Sequence, residues 1–511
     1  MLAKVLSAAV VGLDAVPIEV EIDVVKKGLP SFTIVGLPDK AVEEAKDRVR
    51  SAIINSGAEF PSQRITVNLA PADLPKVGPS YDLPIAIGIL VASGQIPPAR
   101  ELKDSLVLGE LSLDGSLRHV NGVLPVALMA KDKGISQLFL PKTNAEEASI
   151  VDQIKIFPVE NLVSVFYHFN GLNAIPPYPP RKLDLKAKED FEFDLKDIKG
   201  QEQAKRALEI CAAGGHNLRL IGPPGAGKTL LAKTLPSIMP KMTMGEILEV
   251  SKIYSVCGLL RKESGLVVKR PFRAPHHTAS YVGIVGGGQK VKPGEITLAH
   301  RGVLFLDELP EFPRRVLEAL RQPIEAGEIV VSRARGSYRF PSKFVLVTAQ
   351  NPCPCGWLGS QDGIHTCICT PSQIIRYRKR VSGPILDRID LHVEVPSVKV
   401  DKLTGNLKTE GSKIVRKRVQ KARNIQLKRY KGTKITCNAE LTSKDIKTYC
   451  PLDQECLDLL RQAVVKLGLS ARGYHRVLKI SRTIADLANA EEIEPAHIAE
   501  ALQYRAKMEP D

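Results

Sequence analysis

Apolar residues along the 511-residue chain recur with two periods, and each change of period marks an element. Ile18-Glu19-Val20-Glu21-Ile22-Asp23-Val24 alternates apolar and charged side chains, as a strand with one buried face does. Residues 41–54 read as an amphipathic helix, Arg64-Ile65-Thr66-Val67-Asn68-Leu69 as a second strand, and residues 85–91 as an apolar helix. The first residues, MLAKVLSAAVVGLDAV, carry Lys4 and small apolar side chains as a secretory leader would. They alternate, however, and admit Asp14, so folded structure is expected there. Farther along, the apolar run Leu218-Arg219-Leu220-Ile221 stops at Gly222, and Leu230, Leu231 and Leu235 begin a helical pattern. Gly302-Val303-Leu304-Phe305-Leu306 and Phe344-Val345-Leu346-Val347-Thr348-Ala349 read as short buried strands. Residues 327–340 alternate, turn at a small and basic tip, and alternate again, which predicts a β-hairpin.

Between Asn173 and Asp194 the periodicity lapses. Pro176-Pro177-Tyr178-Pro179-Pro180 favours extended backbone, and the mixed charges of residues 182–192 keep the segment solvated. The expected division is a domain at 1–172, a linker at 173–194, a core at 195–400 and a helical lid at 401–511, together a multidomain α/β protein. No apolar run approaches the roughly 20 residues of a membrane span, so no membrane is expected as a partner.

Chemistry concentrates where the first core strand ends. Gly222-Pro223-Pro224-Gly225-Ala226-Gly227-Lys228-Thr229 lies between a strand and a helix start, the context that gives a glycine-rich phosphate loop its meaning. The glycines let backbone N–H groups approach phosphate oxygens, with the positive end of the helix behind them. Lys228 is expected at the β- and γ-phosphates, and the Thr229 hydroxyl on Mg²⁺. Asp307 and Glu308 follow the apolar strand 302–306. The first is expected to orient Mg²⁺ through its waters, the second to polarise the water that attacks the γ-phosphate. ATP and Mg²⁺ are thus the expected cofactors.

Composition adds two things. A net charge of +16 draws polyanions, nucleic acid above all, although a solvated basic surface gives the same count. The basic run 413–431 reads either way. Nine cysteines in so long a chain point to a reducing cytoplasm rather than a disulfide scaffold. Cys353-Pro354-Cys355 and Cys367-Ile368-Cys369 form two pairs eleven residues apart, with His365 nearby. They fit a tetrahedral site for structural Zn²⁺, or simply reduced thiols beside prolines. The spacing within each pair is shorter than usual for zinc, and both readings stay open. His276 and His277 have no adjacent third ligand and are expected in packing and loop hydrogen bonds.

Several motifs carry family resemblances. Lys76-Val77-Gly78-Pro79-Ser80-Tyr81-Asp82-Leu83-Pro84 and Leu108-Gly109-Glu110-Leu111-Ser112-Leu113-Asp114-Gly115 resemble the Lon-protease-type, S5-like α+β domain. The resemblance puts Ser80 at the nucleophile and Leu124 where that family has its lysine base, which implies an inactive domain. Residues 197–208 are similar to the adenine-facing stretch of AAA+ ATPases, implying a role for Ile198 and Gly200. By the same resemblance Asn351 is the sensor-1 residue and Arg388, in Ser382-Gly383-Pro384-Ile385-Leu386-Asp387-Arg388, the arginine finger. Arg472 falls at sensor 2, with Arg476 as second choice.

The order of these motifs, with Phe272-Arg273-Ala274-Pro275-His276-His277 and Pro293-Gly294-Glu295-Ile296, resembles the magnesium-chelatase-like AAA+ ATPases of the YifB/ComM type over essentially the whole chain. It implies a Lon-like domain, an AAA+ P-loop core and a helical lid, assembled as a cytoplasmic ring expected to be a hexamer. It also implies a DNA motor of the branch-migration helicase kind, acting in recombination or natural transformation on single-stranded or branched DNA. The hairpin 327–340 would then project into the pore, where Arg333 and Arg335 grip phosphates, and residues 281–288 would form a second pore loop. A chelatase motor, an ATP-dependent protease and a protein-remodelling machine remain as alternatives.

Overall fold

A computed structural model describes residues 1–25, 29–98, 100–180, 191–260, 265–288, 291–333, 336–360, 365–397 and 409–505. The chain divides into two compact units, Met1–Ala187 with Ile247–Val268, and Lys188–Glu246 with Lys269–Asp511. Ile247–Val268, which lies within 195–400, therefore groups with the first unit.

The first unit is built on a seven-stranded sheet in the order Ser31–Val35, Arg64–Ala70, Asp14–Val25, Leu2–Val11, Ser105–Val107, Gln137–Pro141, Lys155–Val159. The strands Leu2–Val11 and Asp14–Val25 form an antiparallel hairpin in which Val5 faces Val20 and Ala3 faces Ile22. Parallel pairing extends the sheet from Leu2–Val11 through Ser105–Val107 to Lys155–Val159. The helix Asp82–Ala92 is buried along its whole length, as an all-round apolar sequence requires. Each of its large aliphatic side chains contributes about 1.5–3 kcal/mol by leaving water. Gly88 permits the close approach to the sheet, since a Cβ there would stand 2.1 Å from Ile22 Cδ1. The amphipathic stretch 41–54 is two helices, Lys40–Glu43 and Ala45–Asn55, presenting Val42, Ala45, Val49, Ala52 and Ile53 to the core.

The second unit holds a five-stranded sheet in the order Phe272–Arg273, Val303–Leu306, Val345–Gln350, Leu218–Ile221, Leu391–Glu394, every neighbouring pair parallel. Parallel strands covered on both faces read as unbroken apolar runs, which is why Val303–Leu306 and most of Val345–Gln350 lack alternation. Glu202–Gly214 and Lys228–Ile238 pack into the same core as the C-terminal helices Ser412–Arg429, Gln454–Leu467, Ala471–Ala488 and Pro495–Gln503. The mixed α/β class, the parallel sheet and the helical C-terminal region agree with the sequence reading. Ser470 caps Ala471–Ala488, accepting the Gly473 N–H at 3.1 Å.

The basic run 413–431 is largely the helix Ser412–Arg429, and its arginines work inside the unit. Arg418 pairs with Glu209 at 2.6 Å and Glu410 at 2.7 Å, and Arg429 with Asp486 at 2.5 Å. Arg423 is buried against the Ala213 carbonyl. Lysines 413, 417, 421 and 428 keep the exposed face. Among the described residues no helix is long and apolar enough to cross a membrane.

Candidate functional site

The phosphate-loop sequence leaves the carboxyl end of Leu218–Ile221, an interior strand of the parallel sheet between Val345–Gln350 and Leu391–Glu394, and crevices for ligands form at such strand ends. Gly222 is dictated by its neighbour, because a Cβ there would lie 2.0 Å from the Val395 carbonyl oxygen. Gly225 and Gly227 adopt φ of 74° and 84°, with nothing within 4 Å of where a Cβ would stand. Gly227 also opens the helix Lys228–Ile238, so the loop's N–H groups and the helix N-terminus share one open cradle.

Lys228 is buried at the base of this cradle. Its ammonium donates to the Gly222 and Pro223 carbonyls at 2.7 and 2.8 Å and to Asn351 Oδ1 at 3.1 Å. Burial lowers its pKa, against the opposing pull of Asp307 and Glu308. Thr229 Oγ1 donates to Asp307 Oδ2 at 2.8 Å, so residues 78 positions apart meet, one in the first turn of Lys228–Ile238 and the other just past Val303–Leu306. Glu308 stands next to them in the left-handed region, φ 52°, with its side chain 60% exposed to solvent. His277 Nδ1 lies 3.5 Å from Glu308 Oε2, and the His276 ring packs on His277 at 4.1 Å between centroids. Loop packing was expected of these histidines; their place beside the acid was not, because nothing in the spacing ties 277 to 308.

Lys228, Thr229, Asp307, Glu308 and Asn351 therefore converge. An open glycine cradle, a desolvated ammonium and a hydroxyl–carboxylate pair fit a nucleoside triphosphate with Mg²⁺. Pro223, Pro224 and Ala226 complete the loop, Ala226 being buried beneath it. Ile198 is buried in the core of the same unit.

Arg388 and Arg472 form a separate group. Arg388 is buried, donates to the Pro384 carbonyl at 2.6 Å and pairs with Glu325 at 2.6 Å. Arg472, 60% exposed, reaches the same Glu325 oxygen at 3.7 Å. Arg476 pairs with Asp390 at 3.3 Å; that buried carboxyl is held far below its ordinary range because His216 and Arg476 overcome the cost of burial. Among the described residues neither Arg388 nor Arg472 bonds to the cradle of its own chain. Glu325 is the residue that sequence reading passed over, with no motif to signal it.

The expected hairpin is present as Glu328–Arg333 paired with Gly336–Pro341, Val331 opposite Tyr338 and Ser332 opposite Ser337. The side chain of Arg333 and the whole of Arg335 lie outside the described residues. The predicted second pore loop contains the short helix Tyr281–Val285 and the bridge Gly286–Gly287 against Lys292–Pro293. Cys353, Cys355, Cys367 and Cys369 come together as free thiols.

In the first unit Ser80 is half-buried and Leu124 fully buried, its N–H donating to Glu147 at 2.9 Å. Two buried charges there went unread. Lys76 is wholly enclosed and bonds the Pro71 carbonyl, and Asp82 takes two bonds from Arg48 at 2.7 and 3.0 Å.

Three family descriptions match the chain: "Subunit ChlI of Mg-chelatase" at residues 20–144, "Magnesium chelatase, subunit ChlI" at 194–403, and "Magnesium chelatase, subunit ChlI C-terminal" at 409–505. The chain is 48% identical to competence protein ComM of Haemophilus influenzae, covering 99% of this chain and 98% of that one. It is 46% identical to YifB of Escherichia coli over 99% of this chain and 97% of the relative. It is 27% identical to the magnesium-chelatase 38 kDa subunit of Cereibacter sphaeroides over 31% of this chain and 53% of that protein.

Proposed function

The chain belongs to the magnesium-chelatase-like family of the ComM and YifB type, and from that membership we propose that it is an AAA+ ATPase whose ring drives movement on DNA. The observation that carries the ATPase reading is the meeting of Thr229 with Asp307 at 2.8 Å while Lys228 lies 3.1 Å from Asn351. Lys228 would hold the β- and γ-phosphates, and Thr229 and Asp307 would hold Mg²⁺. When bound, the ion neutralises charge shared between those phosphates. Glu308 takes the proton of the attacking water, and His277, 3.5 Å away, orients the carboxylate. Asn351 senses the γ-phosphate, and Arg388 and Arg472 serve the site once a neighbouring protomer and the lid come into play.

DNA as the substrate rests on the relative named for competence, on the charge of +16 and on the basic-tipped hairpin. The first unit is read as a Lon-like domain without peptidase activity, since Leu124 offers Ser80 no base. A chelatase motor is the second reading, favoured by the ChlI descriptions; the similarity to the 38 kDa subunit reaches only 31% of the chain.

The deciding experiment measures ATP hydrolysis with single-stranded, duplex and branched DNA, alongside oligomeric state with a non-hydrolysable nucleotide. Stimulation by DNA and nucleotide-dependent assembly are expected. Lys228→Ala should abolish nucleotide binding, and Glu308→Gln should bind ATP without turnover. Stimulation by unfolded protein but not by branched DNA would shift the reading to protein remodelling, and hydrolysis indifferent to both would end the motor reading.

A further inference from the structure

The strand Val345–Gln350 delivers Asn351 to the cradle and then runs directly into Cys353-Pro354-Cys355-Gly356. Cys367 and Cys369 return to the same place just before the helix Pro371–Arg378. The four sulfurs all lie within 4.8 Å of one another. Cys353 Sγ is 3.3 Å from Cys355 Sγ and 3.7 Å from Cys367 Sγ, and Cys355 Sγ is 3.6 Å from Cys367 Sγ. A tetrahedral tetrathiolate with Zn–S bonds of about 2.3 Å holds its sulfurs about 3.8 Å apart. The observed spacing is close to that figure.

Burial does not explain the gathering. Only Cys353 is buried and the other three are half-exposed, so the thiols are not core side chains brought together by exclusion from water. The backbone is shaped for ligation as well. Gly356 N–H closes the first turn on the Cys353 carbonyl at 3.0 Å, and Cys355 N–H points at Cys369 Sγ at 3.4 Å, a donor of the kind that orients a ligating thiolate. The Trp357 and His365 rings stack at 3.9 Å, nearly parallel. Four thiolates in tetrahedral array select Zn²⁺ or iron–sulfur chemistry over Mg²⁺ and other hard cations.

The knuckle also touches the cradle. A Cβ on Gly356 would stand 2.6 Å from Pro224 Cδ and 3.8 Å from Asn351 Cγ, so the Gly356 backbone forms a wall behind the phosphate loop. We propose that Cys353, Cys355, Cys367 and Cys369 bind one Zn²⁺ as a structural centre, and that this centre braces Pro224 and Asn351 in the nucleotide site. As each Zn–S bond forms, the thiol proton goes to solvent, and no electron is transferred. The bracing half rests on the proposed nucleotide site; the zinc half does not.

The test uses the full chain, purified under reducing conditions without added metal. Emission spectroscopy should find one zinc per chain, and Co²⁺ replacement should give the charge-transfer and d–d bands of a tetrahedral thiolate site. Stripping zinc should weaken binding of a fluorescent ATP analogue by about tenfold or more, restored by Zn²⁺ and not by extra Mg²⁺. Cys355→Ser with Cys367→Ser should lose the metal. Should that variant fail to fold, Gly356→Ala reports separately, with its zinc content measured alongside: it leaves all four ligands in the sequence but drives a methyl group into Pro224, and should weaken nucleotide binding even in molecules that retain zinc. Absent zinc, or iron in its place, overturns the metal assignment. Unchanged affinity on zinc removal or in Gly356→Ala overturns the bracing. Zinc-loaded protein that binds no nucleotide at all refutes the nucleotide site and leaves the metal centre standing.

Discussion

Asp82 is a carboxylate with no exposed side-chain surface, held by two bonds from Arg48 and by the Leu111 N–H at 3.2 Å. Burial pushes its pKa from 3.8 up to about 6, and Arg48 limits the rise. Between those values the folded unit holds a proton that an unfolded chain would release, so this group's contribution to stability falls as pH rises from about 4 to about 6 and is constant above. The whole change is at most about 3 kcal/mol, from roughly two pKa units at 1.36 kcal/mol each. Asp82→Asn removes the titration. The difference in melting temperature between wild type and this variant should therefore drift against the wild type from pH 4 to 6 and then level off, as calorimetry can follow. A difference that widens in favour of the wild type would mean that the Arg48 pair, not desolvation, sets the pKa. Neither partner was legible beforehand, because a pair 34 positions apart leaves no local signature. Lys228, Thr229, Asp307 and Glu308 were singled out in advance because phosphate chemistry fixes residue types at short spacing after apolar strands. His277 and Glu325 had no such rule to betray them.

At the level of elements, runs of one period were readable and their arrangement was not. The strands Val303–Leu306 and Val345–Gln350 and the hairpin at 328–341 stand within a residue or two of where patterning put them. Pairing order, by contrast, is set by contacts far apart in sequence. Nothing in the text shows that Leu218–Ile221 lies between Val345–Gln350 and Leu391–Glu394, or that Ile247–Val268 groups with the first unit. The basic helix Ser412–Arg429 teaches the same point, since a charge count cannot tell an arginine facing solvent from one paired with Asp486. That leaves the hairpin as the basic element with the better claim on DNA. Ser332 and Ser337 bond across the paired strands at 2.7 Å, which stiffens the described part of the hairpin. If Arg333 and Arg335 each neutralise one phosphate, replacing both by alanine should weaken DNA binding equally across sequences. The slope of log affinity against log salt should become shallower by about 1.8, at roughly 0.9 per duplex contact. Fluorescence anisotropy over a salt series reads both quantities, and an unchanged slope would remove the hairpin from the DNA interface.

For the molecule as a whole, the question is whether one chain suffices. Arg388 lies in a bond to its own Glu325 at 2.6 Å, an acid 49% exposed whose same oxygen Arg472 approaches at 3.7 Å. A guanidinium so held gives its own cradle nothing, and to reach a neighbour's γ-phosphate it must exchange one anion for another. In the proposed ring, a head-to-tail contact would supply such an exchange by setting one protomer's finger surface against the next protomer's nucleotide. Arg388→Ala alone should bind ATP normally and hydrolyse it about a thousandfold more slowly, the lower end of what a finger contributes. Lys228→Ala alone should bind no nucleotide yet still present Arg388. Mixed in equal amounts, the two inactive chains place an intact cradle beside an intact finger at about one interface in four, so hydrolysis should reappear at up to about a quarter of the wild-type rate. Restored activity that rises and falls with the mixing ratio identifies a finger acting between chains. If each variant is dead alone and the mixture is dead too, while both still assemble, then Arg388 serves its own chain's structure through Glu325, and the shared site must be built from another residue.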